Sequence, residues 1–234
     1  MGADLHVPQR PLFESVSSVS DQWVYGRVNL SLNEAQALAK KAAKGAGINW
    51  GAAHETGRAV RWLLEQGIDP FPSLLATLDA HLGLPEAELA PHRLGGELSG
   101  RHGILSGIMT GLSLADFGVQ DQPYIQMQGV VGAELIAGFI ALSLDSGEGC
   151  LMTDGVCSMK FSRNACQRDR PQSWRTEVTL SVSALPSVNK ERFKRADILP
   201  VHLEKLETFA NRTYAPATEL SRLAGAGSAL SDND

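Results

Sequence analysis

Apolar residues recur at spacings of three and four through the first part of the chain, which is the repeat of helices that bury one face. Ser31-Leu32-Asn33-Glu34 reads as a capping box: the Ser hydroxyl and the Glu carboxylate satisfy the orphan N–H groups of a helix start. The helix it predicts runs to about Lys44 and is stopped by Gly45 and Gly47. Its inner stripe is Leu32, Ala35, Leu38, Ala39, Ala42 and Ala43, small enough that another element must approach closely. Asn49 is placed to cap a second helix from Trp50 to about Gln66, with Ala53, Val60, Leu63 and Leu64 on its buried face and Gly67 as its stop, so the pair forms a helical hairpin. After Pro70 and Pro72, Ser73-Leu74 opens a third short helix ending near Leu82, and Pro85 to Leu89 adds a further turn.

Beyond Pro91 the pattern changes. Gly95, Gly96, Gly100, Gly103, Gly107 and Gly111 interrupt the helical repeat, and Ile104, Ile108, Leu112 and Leu114 fall at even offsets, which predicts extended chain there. Tyr124 to Val131 alternates apolar and polar positions as a half-buried strand does, and Ala133 to Leu144 is apolar throughout and fits either element. Gly149 to Thr153, Val156 to Ser162 and Trp174 to Ala184 predict further strands. The last has the cleanest alternation, Val178, Leu180 and Val182 against Thr179, Ser181 and Ser183. A helix opening at Pro200 carries Leu203, Leu206, Phe209 and Ala210 on its inner face.

Helices first and strands afterwards predict an α+β fold: an N-terminal helical hairpin and short helices packed on a mixed or antiparallel sheet, then a C-terminal helix and a Gly-rich tail. Residues 1–29 lack a period and read as an extension. Residues 30–234 read as one domain, helical over about 30–90, sheet-rich over about 95–185, with the C-terminal helix and tail over 197–234.

Composition narrows the class. With 43% apolar and 20% charged residues the chain is globular in character, and 21 basic against 26 acidic side chains give a net charge of −5, which offers nucleic acid no electrostatic attraction. Val130 to Leu144, the longest apolar run, contains Glu134 and falls short of a membrane span, so it is expected to be a core element. Neither a secretion signal nor a myristoylation motif is read at the start. Cys150, Cys157 and Cys166 are an odd number without a C-x-x-C pair, which fits small buried hydrophobes in a reducing compartment, and the expected location is the cytoplasm.

The candidate chemistry lies in two clusters. In the second helix, Glu55 precedes Arg58 by one turn, with His54 and Arg61 nearby; the pair reads as a general base beside a cation or as a surface strut. Arg58 stands where a His-Glu-x-x-His zinc motif needs its second histidine, and no metal site is expected. Near the C-terminus, Arg212, Tyr214, Glu219, Ser221, Arg222, Gly225 and Gly227 combine guanidinium groups with glycines whose N–H groups can approach a bound anion. Asp232-Asn233-Asp234 could in principle bind a hard cation but reads as a solvated acidic end. Neither a dinucleotide fingerprint nor a phosphate loop is present, so no cofactor is expected. Ser99-Gly100-Arg101-His102-Gly103 puts a hydroxyl, a guanidinium and an imidazole in one loop.

Ser31-Leu32-Asn33-Glu34, Ala42-Ala43-Lys44-Gly45-Ala46-Gly47, Trp50-Gly51, the run Glu55 to Leu63 and the run Thr213 to Ser228 together resemble a bacterial family known as a domain of unknown function, over about residues 31–234. The resemblance implies no activity and no site residues. The two clusters share Glu and Arg among small side chains, and this leads to an expectation that they meet in one pocket. In that reading the protein is a cofactor-independent lyase or hydrolase of small-molecule catabolism, acting on a small carboxylate or amino-acid-like metabolite. Glu55 serves as base, Tyr214 or His102 as proton donor, and Arg58, Arg61, Arg212 and Arg222 as anchors for the anion. The alternative is a non-catalytic accessory or ligand-binding subunit. Self-association is expected in either case, and neither a membrane nor nucleic acid is expected as a partner.

Overall fold

The computed structural model describes residues 26–94, 97–118, 124–170, 173–186 and 192–214. In chain order the elements are β1 (Val28–Ser31), α1 (Leu32–Gly45), α2 (Trp50–Glu65), α3 (Phe71–Gly83), α4 (Glu86–Leu89), β2 (His92–Leu94), β3 (Glu97–Ser99), β4 (Leu105–Ser106), α5 (Gly107–Phe117), β5 (Ile125–Gln128), β6 (Val130–Val131), α6 (Ala133–Ser143), β7 (Gly149–Thr153), β8 (Ser158–Ser162), β9 (Cys166–Arg168), β10 (Val178–Ser183), β11 (Arg195–Ile198) and α7 (Pro200–Asn211). The fold is α+β, as the pattern predicts.

Local chemistry sets the first helices. Ser31 Oγ accepts from the Glu34 N–H at 3.2 Å, and Glu34 Oε2 accepts from the Ser31 N–H at 2.7 Å, so the capping box closes in both directions. These bonds hold the Glu34 carboxyl below its ordinary pKa, the backbone bond from Ser31 contributing most. Asn49 Oδ1 accepts from the Ala52 N–H at 2.9 Å and caps α2. The small face of α1 buries Ala35, Ala39, Ala42 and Ala43 completely. Helix α1 packs against both α2 and α7, and a Cβ at Gly57 of α2 would collide with the Gln36 carbonyl of α1.

Seven strands form one sheet in the order β2-β3-β5-β10-β7-β8-β9, parallel only between β3 and β5. The register aligns Leu180 with Ile125 and Met152, Met152 with Met159, and Cys150 with Phe161, so one face of the sheet is continuously apolar. That face and the helices share one buried cluster. Val182 continues the same alternation but is half exposed, where the pairing of β10 with β5 has ended at Leu180. All three cysteines are buried and unbridged, and burial pushes the Cys150 thiol up to about 11, Glu148 adding to the effect.

The structure departs from the pattern in two places and resolves an ambiguous one. The stretch read as extended around Ile108 to Leu114 is helix α5, and only Leu105–Ser106 before it is strand. Its glycines are contact points: a Cβ at Gly107 would overlap the Gly132 carbonyl, and one at Gly111 would overlap the Phe139 ring, so they let α5 lie against α6. The ambiguous apolar run is α6, buried from Ala133 through Ala141. The N-terminal extension ends earlier than Asn29, since Val28 pairs with Ile198 and Asn29 with Asp197 in a two-stranded sheet. The tail from residue 215 onward lies outside the described residues. Among those described, no helix is long and apolar enough to cross a membrane.

Candidate functional site

A cavity of about 690 Å³ opens between the loop after α2, the first turns of α3 and α6, and the chain from β9 towards β10. Its polar floor follows from one turn. Gly132 adopts a left-handed conformation, φ 79°, pressed against Thr77 Oγ1 and the Ser73 carbonyl, and α6 starts immediately after it. Thr77 Oγ1 lies within bonding distance of the Ser73 carbonyl, at 2.8 Å, and of the Val131 carbonyl, at 3.1 Å, and ties α3 to β6. Glu134 therefore falls in the first turn of α6, where unpaired helix N–H groups favour a negative charge.

Glu134 is 7% exposed in a helix otherwise made of apolar and small residues up to Ser143. Its Oε1 pairs with Arg168 Nη2 at 3.2 Å, and its Oε2 accepts from the Ser73 hydroxyl. Arg168 is braced in turn by donating from Nε to the Arg170 carbonyl at 2.9 Å. A buried carboxylate needs such partners, because an unpaired one would forfeit its hydration with no return.

Other parts of the lining are less fully paired. Gln66, the C-cap of α2, is 8% exposed, and Trp174 is half-buried in the segment before β10. Gln66 Nε2 and Trp174 Nε1 are shut off from solvent and have no hydrogen-bond acceptor; only four buried side-chain N or O atoms among the described residues are in that position, and two of them line this cavity. Asp69 on the same rim accepts from the Phe71 N–H at 3.0 Å. The lining thus holds two orphan N–H donors, which the Gln66 and Trp174 side chains must turn to present to the cavity, together with a hydroxyl–carboxylate–guanidinium group.

The residues singled out from the sequence lie elsewhere. Glu55 and Arg58 form an (i, i+3) ion pair at 2.9 Å on the outer side of α2, and Arg58 and Arg61 share a shallower groove with Arg163 and Arg192. His102 pairs with Glu88 of α4 at 3.1 Å. The Tyr214 hydroxyl accepts from Lys41 of α1 at 3.1 Å, and the Arg212 guanidinium lies 5.0 Å from the centre of the Phe209 ring on its own helix. The structure brings Glu55 to Arg58 and Arg58 beside Arg61, while His102 and Tyr214 bond residues outside the predicted set. Glu219, Ser221, Arg222, Gly225, Gly227 and the terminal Asp232-Asn233-Asp234 lie outside the described residues. Among described residues, no three His, Cys, Asp or Glu side chains gather as a metal site would require.

Sequence reasoning passed over Ser73, Glu134, Arg168, Gln66 and Trp174. One signal was available: Glu134 is the sole charged residue in an apolar run, and a buried carboxylate requires a partner.

No curated protein and no solved structure matches the chain. A family model does, over a shorter span than the resemblance drawn from the sequence. Residues 30–102, which reach from β1 past β3 and supply Gln66, Asp69 and Ser73 to the cavity, are similar to the family described as "Protein of unknown function (DUF3726)".

Proposed function

We propose that the chain binds a small amino-acid-like or carboxylate-bearing metabolite in the cavity between Glu134 and Trp174. The reading is carried by the two unsatisfied N–H groups. A buried donor without an acceptor costs about 1–3 kcal/mol, and two in the lining of one cavity are accounted for if the Gln66 and Trp174 side chains turn to meet a ligand oxygen. A carboxylate or carbonyl suits those donors, and an amine or hydroxyl on the same ligand suits Glu134 and Asp69. A cavity of about 690 Å³ is within the usual range for small-molecule sites. The test is a thermal-shift and Trp-fluorescence titration of the full chain against small carboxylates, amino acids and their amides. A ligand that stabilises the native chain and neither Gln66→Leu nor Trp174→Phe supports the reading, and equal stabilisation of all three refutes it.

One observation favours a catalytic form of this reading, a cofactor-independent lyase or hydrolase. The Ser73 hydroxyl donates to Glu134, so a proton donor and a carboxylate acceptor face the cavity as a pair, the arrangement that general acid–base steps use. Consumption of the bound metabolite, lost in Glu134→Gln with binding retained, separates catalysis from binding alone. The protein is placed in the cytoplasm, where its three unbridged cysteines stay reduced. Self-association, checked by light scattering, completes the proposal.

A further inference from the structure

The shallow groove on the outer side of α2 carries a charge imbalance, held in place by its own bonds. Arg58 and Arg61 of α2 line it, with Arg163 after β8 and Arg192 before β11. Glu55 pairs with Arg58 at 2.9 Å. Glu65 is divided between two guanidinium groups, its Oε1 taking Arg61 Nε at 2.9 Å and its Oε2 taking Arg192 Nη1 at 3.2 Å. Arg163 donates to the Leu144 carbonyl at 3.2 Å and has no carboxylate within ion-pair distance among the described residues. Within ion-pair distance four guanidinium groups meet two carboxylates, Asp145 and Glu148 lining a neighbouring cavity that Arg163 also borders, and this leaves a local surplus of two positive charges in a molecule whose net charge is −5.

Like charges gathered this way repel, and flexible side chains would be expected to splay into solvent. Here three of the four are held from other elements. Arg61 also donates to Asn33 and Gln36 of α1, and Arg192 Nη2 donates to Asn164 at 2.9 Å. The Arg163 carbonyl accepts from Trp62 Nε1 at 2.9 Å, and the Glu65 carbonyl accepts from the Phe193 N–H at 2.9 Å, so the backbone carrying each arginine is anchored to the core of α2. A bound anion would therefore find guanidinium groups already ordered, with little side-chain entropy left to lose.

We propose that this groove is a second ligand site, for the dianionic phosphate group of a small phosphomonoester. Charge sets the class: a phosphomonoester carries about −1.5 to −2 at neutral pH, which matches the surplus of two, whereas one carboxylate would neutralise half of it. Geometry agrees, since planar guanidinium forks present paired N–H groups to phosphate oxygens, and three separate stretches of chain supply them. The groove, about 450 Å³ and open on one side, also presents His54 and Asn164 to the rest of the ligand. The site is independent of the cavity at Glu134.

The test titrates the full chain carrying Trp174→Phe, so that the Glu134 cavity does not take up the amino-acid part, with O-phosphoserine, inorganic phosphate, serine and acetate by calorimetry between pH 5.5 and 8. Phosphoserine is expected to bind more tightly as its phosphate loses its second proton near pH 6, and more weakly as salt is raised. Arg163→Gln and Arg192→Gln are each expected to lower affinity by about tenfold or more, the loss of one charge-assisted hydrogen bond. Arg163→Lys keeps the charge and removes the fork; a loss in that variant with an unchanged melting temperature separates recognition from folding. Inorganic phosphate binding as tightly as phosphoserine would assign the site to the free ion and overturn the monoester. Acetate binding as tightly as phosphate, or affinity untouched in Arg163→Gln and Arg192→Gln, would overturn the site itself.

Discussion

Replacing Gln66 by Leu tests the cavity through stability and binding at once, and the two readouts are expected to move in opposite directions. Gln66 is more than nine-tenths buried, and its Nε2 is wholly shut off from solvent with no acceptor. Leucine has similar volume and no polar atoms, so the substitution exchanges an unsatisfied donor for apolar contact without opening a hole. The backbone N–H of residue 66, which caps α2 on the Trp62 and Leu63 carbonyls, is unaffected. An unpaired buried donor costs about 1–3 kcal/mol. Any interaction of the amide oxygen is lost together with it, so the net expectation is stabilisation by about 1 kcal/mol, a rise of about 2–4 °C in melting temperature for a chain of this length. The ligand effect has the opposite sign. At a concentration of one hundred times Kd, a ligand stabilises the native chain by about 2.7 kcal/mol, and that increment should largely vanish in Gln66→Leu. Chemical denaturation with and without the best metabolite from the panel reads both quantities. Destabilisation of the ligand-free variant by 1 kcal/mol or more, as an order of magnitude for losing a satisfied buried hydrogen bond, would mean that Gln66 serves the fold, and the argument from orphan donors would fail.

Three further outcomes follow from the same geometry. Gly132→Ala puts a Cβ against Thr77 Oγ1 at a positive φ, and should destabilise by about 1–3 kcal/mol in urea unfolding, far more than Ala at exposed Gly83, which meets nothing. Glu134→Leu alone strands the Arg168 guanidinium and should cost about 3–5 kcal/mol, whereas the double variant Glu134→Leu with Arg168→Met should recover most of it; a double-mutant cycle with no coupling would refute the pairing. His81, buried with its Nε2 2.8 Å from Ser106 Oγ, has its pKa lowered by burial, with Glu86 opposing. Because the folded value lies below the unfolded one, its contribution is present above about pH 6.5 and is lost as pH falls through the folded value; His81→Gln should flatten the stability profile between about pH 7.5 and 5.

Elements whose cause is local were legible in the sequence. The capping box at Ser31 and Glu34, the Asn49 cap and the Pro200 start each act within one turn, and α1, α2 and α7 begin where those signals stand. Strands β5, β7, β8 and β10 follow the two-residue alternation closely enough to be read from it. Helix α5 was hidden because Gly107 and Gly111 read as breaks, when their role is to admit α6, which only the tertiary contact discloses. The pairing of β1 with β11 joins residues some 170 positions apart, and nothing local announces it.

The candidate site divides along the same line. Glu55 and Arg58 attract attention because they are neighbours in sequence, but a helix makes such (i, i+3) pairs on any solvated face, so proximity along the chain says little about use. The cavity draws Gln66, Ser73, Glu134, Arg168 and Trp174 from five separate stretches, and only Glu134 stands out beforehand, as a carboxylate inside an apolar helix. Its burial is a poor source of stability, since an apolar pair of the same shape serves a core as well or better. Two unsatisfied donors in the same lining are a further cost to the empty fold. Neither expense is explained by folding, and both are explained by a ligand that accepts hydrogen bonds from Gln66 and Trp174 while donating to the ionised side, so the features that weaken the empty fold are the ones that would define what it holds.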